Sequence, residues 1–129
     1  MMRPVRMLRW LLVTPFALVG LLCLFEPNLA FAPLGLHFDT VSGLSQERGT
    51  AGGVTLAVGL FLMASAHFRK LSLPALWMVV MVLGGLEAGR LFSLVVDGVP
   101  GKPVWINAAV EVLGLAQGLF WLRRADAGG

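Results

Sequence analysis

The chain has 129 residues, of which 57% are hydrophobic and only 13% are charged. Soluble domains carry about 25% charged residues, so this composition predicts a membrane protein. The net charge is +3, but the basic residues flank apolar runs and are not interleaved with aromatic side chains, which argues against nucleic acid as a partner. At about 20 residues per spanning helix, the length allows four spans in a single membrane domain.

The first predicted span runs from Met7 to Phe25, after a basic N-terminus. A basic start, an apolar run and small residues at positions 30 and 32 are also features of a secretory signal peptide. The apolar run is nevertheless long for a signal peptide, and Pro33 would be the first residue after cleavage. We therefore predict an uncleaved spanning helix, which Pro15 kinks or caps.

The longest predicted connection covers residues 26–49 and combines proline and glycine with apolar side chains. We expect it to lie on the membrane surface or to fold over the bundle as a lid. His37 and Asp39 are two residues apart, which makes a metal site only if further ligands join them. Neither this pair nor the single Cys23 predicts a metal or a cofactor, so we expect none.

Three further spans are predicted at residues 50–66, 74–96 and 104–122, and Trp105 marks the start of the last one. The first of these carries small residues at helical spacing, which lets helix backbones approach closely. These small residues are Gly49, Gly52, Gly53, Thr55 and Gly59. The predicted fold is an all-α, up-down bundle of four transmembrane helices.

The distribution of basic residues predicts the orientation of the spans. With four spans, one side of the membrane carries Arg3, Arg6, Arg9, Arg69, Lys70, Arg123 and Arg124. The other side carries only Arg48 and Lys102. Because cytoplasmic loops are rich in Lys and Arg, both termini are predicted to be cytoplasmic, and the 26–49 and 97–103 connections face outward.

The third predicted span contains Glu87 and Arg90 and ends at Asp97. Charges in a membrane cost about 2.5–3.5 kcal/mol each and usually mark functional sites. At about 1.5 Å per residue, counted from the outer end, Arg90 lies roughly 10 Å deep and Glu87 roughly 15 Å deep. On the fourth span, Asn107 lies roughly 5 Å deep and Glu111 roughly 10 Å deep. Arg90 and Glu111 are therefore expected to be neighbours on sequential antiparallel helices.

Helical phase predicts the same cluster, because Glu87 is one turn from Arg90, and Asn107 shares a stripe with Glu111. Gly85 and Gly89 flank the charged stripe of the third span. The predicted outward-facing polar cluster consists of Glu87, Arg90, Asn107 and Glu111, closed outward by Asp97 and Arg48. Two carboxylates and one guanidinium carry a formal charge of −1, so either one carboxylate is protonated or Arg48 joins them.

Three parts of the chain resemble a known family. They are the RGTAGG run from Arg48, the GRLFSLVVDGVP run from Gly89, and Glu111 in the last span. The chain resembles small bacterial four-span membrane proteins catalogued as domain of unknown function 4345, and the resemblance covers nearly its whole length. It implies the four-helix fold and a place in the bacterial inner membrane, and it brings no activity, substrate or catalytic residue with it.

Several roles remain open for the cluster. The leading hypothesis is a non-enzymatic membrane protein that binds a lipid-like ligand or docks to a larger membrane complex. A lipid-modifying enzyme, in which a buried carboxylate shuttles protons as in an isomerase, is the alternative. A proton-coupled transporter would need an oligomer, because the chain shows no internal repeat. A purely architectural charge network also fits, since paired charges are cheaper to bury than single ones.

Overall fold

The computed structural model describes the backbone of residues 2–127 and the side chains of residues 10–127. Over this range the chain is helical and contains no strand, which confirms the predicted all-α class. It divides into two compact units, Met1–Arg69 and Lys70–Gly129. The predicted basic side chains of Arg3, Arg6 and Arg9 lie outside the described residues.

The first unit begins with α1, Met2–Phe25, which ends at a sharp bend. The next helix, α2, spans Pro27–Phe31 and continues into a 3₁₀ turn at Ala32–Leu34. The chain direction changes by 119° between α1 and α2. Pro27 explains the break, because it has no backbone N–H and disfavours helical geometry in the residue before it.

The segment after this turn is held in place by the side chain of Asn28. Its Nδ2 donates to the carbonyl of Phe38 at 3.0 Å, and its Oδ1 accepts from the backbone N–H of Phe38 at 2.7 Å. The rings of Phe31 and Phe38 meet edge to face with centroids 5.5 Å apart. A left-handed glycine, Gly35 at φ 73°, makes the intervening turn possible.

A long helical segment follows, and it starts at Val41 rather than at Thr50, where the sequence pattern had placed it. Its first part is α3, Val41–Glu47, capped by the Thr40 hydroxyl, which accepts from the N–H of Gly43 at 3.0 Å. A π-helical turn at Arg48–Val54 leads into α4, Thr55–His67. Much of the predicted 26–49 connection is therefore helical.

Glycines bring α1 and α4 into close antiparallel contact. A Cβ on Gly20 would lie 2.6 Å from the backbone N of Leu56, and a Cβ on Gly52 would lie 2.8 Å from Cα of Leu24. A Cβ on Gly59 would lie 3.1 Å from the backbone N of Ala17. Gly20 and Gly52 have room only for a hydrogen atom, and Gly59 has little room for more. Small residues at such positions let helix backbones approach closely.

The predicted small-residue face of the second span makes this contact only in part. Gly52 and Gly59 lie against α1. By contrast, a Cβ on Gly49 would meet no atom within 4 Å, and one on Gly53 would meet only the carbonyl of Arg48, at 3.6 Å. The contact therefore follows a spacing of seven residues along the second span, which is two helical turns.

The second unit is an antiparallel helix pair, α5 at Ser72–Val96 and α6 at Lys102–Ala127. The connection contains Gly98 in a left-handed conformation, φ 99°. Along the pair, Gly84 faces Leu115, and a Cβ on Gly118 would lie 2.9 Å from Cγ2 of Val80. This contact lies in the half of the pair away from the connecting loop.

Three helical segments are long and apolar enough to cross a membrane, namely Val41–His67, Arg69–Val96 and Lys102–Ala127. Trp10–Phe25 together with Pro27–Leu34 makes a fourth if this bent pair is counted as one span. Large apolar side chains on these helices are exposed, and Val95 on α5 is 85% exposed. Such surfaces are typical of helices that contact lipid.

Candidate functional site

Arg90 of α5 and Glu111 of α6 form a bidentate ion pair in the second unit. The guanidinium Nε donates to Oε2 of Glu111 at 2.9 Å, and Nη2 donates to Oε1 at 2.8 Å. Two parallel charge-assisted bonds of this kind are among the strongest side-chain interactions. They hold α5 and α6 together in the half of the pair nearer the connecting loop.

Glu87 lies one turn before Arg90 and contributes a second carboxylate. Its Oε1 is 3.8 Å from Nε of Arg90, close enough for an ion pair and too far for a hydrogen bond. This oxygen is shielded from solvent and has no hydrogen-bond partner among the described residues. The side chains of Glu87, Arg90 and Glu111 are only 17%, 28% and 21% exposed. One guanidinium is thus shared by two carboxylates.

A small cleft of about 60 Å³ adjoins this cluster. Glu87 and Arg90 line it, and apolar side chains complete its walls. These wall residues are Leu91, Leu94, Pro100, Val104, Trp105 and Ala108. The cleft therefore extends from the charged cluster to the connecting loop and combines apolar walls with two charged groups, a combination common in ligand sites.

Sequence reasoning did not assign the apolar wall residues to the site, although helical spacing contains the signal. On α5, Leu91 and Leu94 follow Glu87 at four and seven residues. On α6, Val104 and Ala108 precede Glu111 at seven and three residues. Residues at these spacings share one helix face, so the face that carries each glutamate also supplies the cleft wall.

Two members of the predicted cluster lie apart from it on α6 and at the end of α5. Asn107 is exposed, does not line the cleft and makes no side-chain hydrogen bond within the described part of the chain. The contact face of α6 passes through Ala108, so Asn107 lies on its flank. Asp97 is also exposed, and its Oδ2 accepts from the hydroxyl of Ser93 at 2.8 Å.

Arg48, the remaining predicted member, is engaged within the first unit. Its Nη1 donates to the carbonyls of Leu24 and Phe25, the second at 3.1 Å. Carbonyls at a helix C-terminus lack intrahelical partners, and Pro27 removes one N–H donor from the next turn. The geometry thus gives Arg48 the role of a cap for the end of α1.

The described residues contain no group of three or more His, Cys, Asp or Glu side chains that could hold a metal ion. The chemistry available at the cleft is therefore that of carboxylates and a guanidinium. With both carboxylates ionised the cluster carries a charge of −1. Such a site can attract a cation, accept hydrogen bonds or exchange a proton.

Comparison with known proteins identifies the family. Residues 4–122 match the family described as domain of unknown function (DUF4345). No curated protein and no solved structure matches the chain significantly. The family match covers nearly the whole chain, including both units and every residue of the cleft. The chain therefore belongs to the family described as domain of unknown function (DUF4345).

Proposed function

We propose that this chain is a four-span protein of the bacterial inner membrane that binds a lipid-like amphiphile in the cleft beside Arg90. The apolar helical segments and their exposed side chains support the membrane location. The bias of Lys and Arg toward one side supports cytoplasmic termini. The cleft then lies in the outer half of the membrane.

The observation that carries this proposal concerns Glu87, which lines the apolar cleft and whose buried Oε1 accepts no hydrogen bond from any described residue. An intramembrane charge that is fully paired is explained by architecture alone. Glu111 meets that description, because both of its carboxylate oxygens accept hydrogen bonds from Arg90. Glu87 does not meet it, because its buried Oε1 accepts no hydrogen bond from any described residue. Burying a carboxylate oxygen without a donor is costly. A ligand with a polar head and an apolar chain supplies what Glu87 and the cleft walls lack.

The proposal is tested by filling the cleft without altering its charges. Ala108 lines the cleft, whereas the neighbouring Ala109 is exposed and does not line it. We expect added bacterial lipid extract to raise the melting temperature of the detergent-purified protein and of Ala109→Leu, and to raise that of Ala108→Leu much less. Equal stabilisation of all three proteins by lipid would contradict binding in the cleft.

The free carboxylate oxygen also favours one second candidate, an enzyme in which Glu87 exchanges a proton with a bound lipid. A general base needs a carboxylate within reach of the substrate, and Glu87 lines the cleft. Incubating the protein with lipid extract in D₂O and analysing the lipids by mass spectrometry tests this candidate. Deuterium incorporation at carbon that is lost in Glu87→Gln would support catalysis, and lipids without such incorporation would refute it.

A further inference from the structure

The charge of the cluster restricts what the cleft can bind. Glu87 and Glu111 contribute two carboxylates, and Arg90 contributes the single guanidinium that faces them. The cluster therefore has an excess negative charge, and its three side chains are largely removed from solvent. A buried net charge is unfavourable unless an opposite charge or a proton compensates it. A ligand head with a positive group would place that charge beside Glu87, and in a zwitterionic head the negative group would lie beside Arg90.

The unused hydrogen-bonding atoms of the cluster narrow the chemistry that a ligand's head group must have. Oε1 of Glu87 accepts no hydrogen bond from any described residue. The Nε and Nη2 atoms of Arg90 are used by Glu111, and Nη1 makes no hydrogen bond among the described side chains. The site therefore offers an acceptor on an anionic group next to a spare donor. Rotation of a terminal carboxyl group is soft, so Glu87 can turn an oxygen toward the cleft at little cost.

The cleft walls and volume indicate what kind of molecule carries the positive group. The cleft is small, about 60 Å³, and therefore suits a small polar group beside Glu87. The walls beside Glu87 are formed by Leu91, Leu94 and Val104, which suit an alkyl chain. A primary ammonium is small and has three N–H donors for a carboxylate, whereas a trimethylammonium group is larger and has none.

We infer that the cleft selects an amphiphile with a primary ammonium head, of the kind carried by aminophospholipids. The ammonium donates to Glu87, and an anionic or hydroxyl oxygen of the same head group accepts from Nη1 of Arg90. This inference rests on the proposed function, since it names the ligand class for the same cleft. The ligand is expected to be a membrane lipid, because the cleft is apolar beyond the two charged side chains.

Titration of the purified full-length protein in detergent with defined lipids tests the inference. The probes are dioleoyl phosphatidylethanolamine, dioleoyl phosphatidylcholine and free ethanolamine, and the readout is the melting temperature at each concentration. We expect the ethanolamine lipid to bind at least about tenfold more tightly than the choline lipid, the size of effect expected for one charge-assisted hydrogen bond. Free ethanolamine should give no shift at the same concentrations.

Variants at Glu87 assign the preference to the carboxylate. Glu87→Gln should bind both lipids with similar affinity, and Glu87→Asp, which keeps the charge, should retain the preference. The melting temperature of each variant without lipid verifies that it is folded. If Glu87→Gln does not fold, Glu87→Asp and the comparison of the two lipids on the wild-type protein still test the inference. A wild-type preference for the choline lipid, or no preference between the two lipids, overturns it.

The titration distinguishes a wrong ammonium preference from a wrong lipid site. Equal binding of both lipids that is lost in Ala108→Leu would overturn the ammonium preference, leave the lipid site in place and indicate that a proton neutralises the cluster. Absence of any lipid effect on the wild-type protein would overturn the proposed function as well. Binding of free ethanolamine as tight as that of the lipid would overturn the choice of a membrane lipid as the occupant.

Discussion

The guanidinium of Arg90 and the carboxylate of Glu111 meet through two parallel hydrogen bonds of 2.9 and 2.8 Å. The residues are 21 positions apart in the chain and belong to different helices of one antiparallel pair. Their pairing fixes the separation of α5 and α6 beside the cleft. It also leaves Glu87, at 3.8 Å from the same guanidinium, as the carboxylate with an unused acceptor, Oε1.

A double-mutant cycle should measure this bidentate pair directly. We expect Arg90→Gln and Glu111→Gln each to lower the free energy of unfolding, and the double variant to lose less than the sum. A coupling energy of about 1–3 kcal/mol is expected for a half-buried bidentate pair. Unfolding in mixed micelles with increasing sodium dodecyl sulfate provides the measurement. The cycle of Arg90→Gln with Glu87→Gln is the control and should give a smaller coupling, and equal couplings would contradict the geometry.

Glycine substitutions should separate contact positions from open ones. Gly20→Ala and Gly52→Ala should destabilise the protein by about 1–3 kcal/mol, because the added methyl group would overlap the backbone of the facing helix. Gly85→Ala and Gly89→Ala are the matched controls, since a Cβ there meets no atom within 4 Å. Alanine should leave stability unchanged or raise it by about 0.5–1 kcal/mol at these helical positions. Similar losses at all four glycines would refute the α1–α4 register.

The turn after α2 should depend on Asn28. Replacing Asn28 by Ala removes both of its hydrogen bonds to Phe38, each worth about 1 kcal/mol. We expect backbone amide exchange in residues 35–40 to become faster, with little change in α5 and α6. Asn107→Ala is the control, because that exposed side chain makes no hydrogen bond among the described residues. Unchanged exchange in residues 35–40 of Asn28→Ala would show that the turn is held by other contacts.

Arg48 should stabilise the end of α1. Arg48→Gln shortens the side chain and removes its donors to the carbonyls of Leu24 and Phe25, so stability should fall by about 1–3 kcal/mol. Lys102→Gln removes a positive charge from an exposed position and should change stability by less than about 0.5 kcal/mol. The melting temperature in detergent checks both variants. Equal effects would show that Arg48 acts only through its charge.

The helical class and the depth of residues along each long helix were predictable from sequence, because hydropathy and helix rise are nearly independent of context. The all-α class and the Arg90–Glu111 contact followed from these two quantities. Depth along each helix was enough to place Arg90 and Glu111 level with one another. The family resemblance also agreed with the match over residues 4–122.

The exact start of a helix and the side-chain contacts of single residues were harder to predict. The start of the second long helix at Val41 depends on a single cap, Thr40, within a stretch of small and polar residues. The place of Asn107 depends on which side of α6 faces α5, and an adjacent residue, Ala108, occupies that face. Arg48 was predicted to close the cluster from the mouth of the second span. Its bonds to Leu24 and Phe25 depend on the bend at Pro27, which leaves helix carbonyls without donors.

The most direct test of the central claim is native mass spectrometry of the protein extracted from its own membranes. The wild-type protein and Ala109→Leu should each retain one tightly bound lipid through gas-phase activation that strips detergent, and Ala108→Leu should retain none. Such a result would place the lipid in the cleft beside Arg90. Retention of the same lipid by Ala108→Leu, or by none of the three proteins, would contradict a lipid site there.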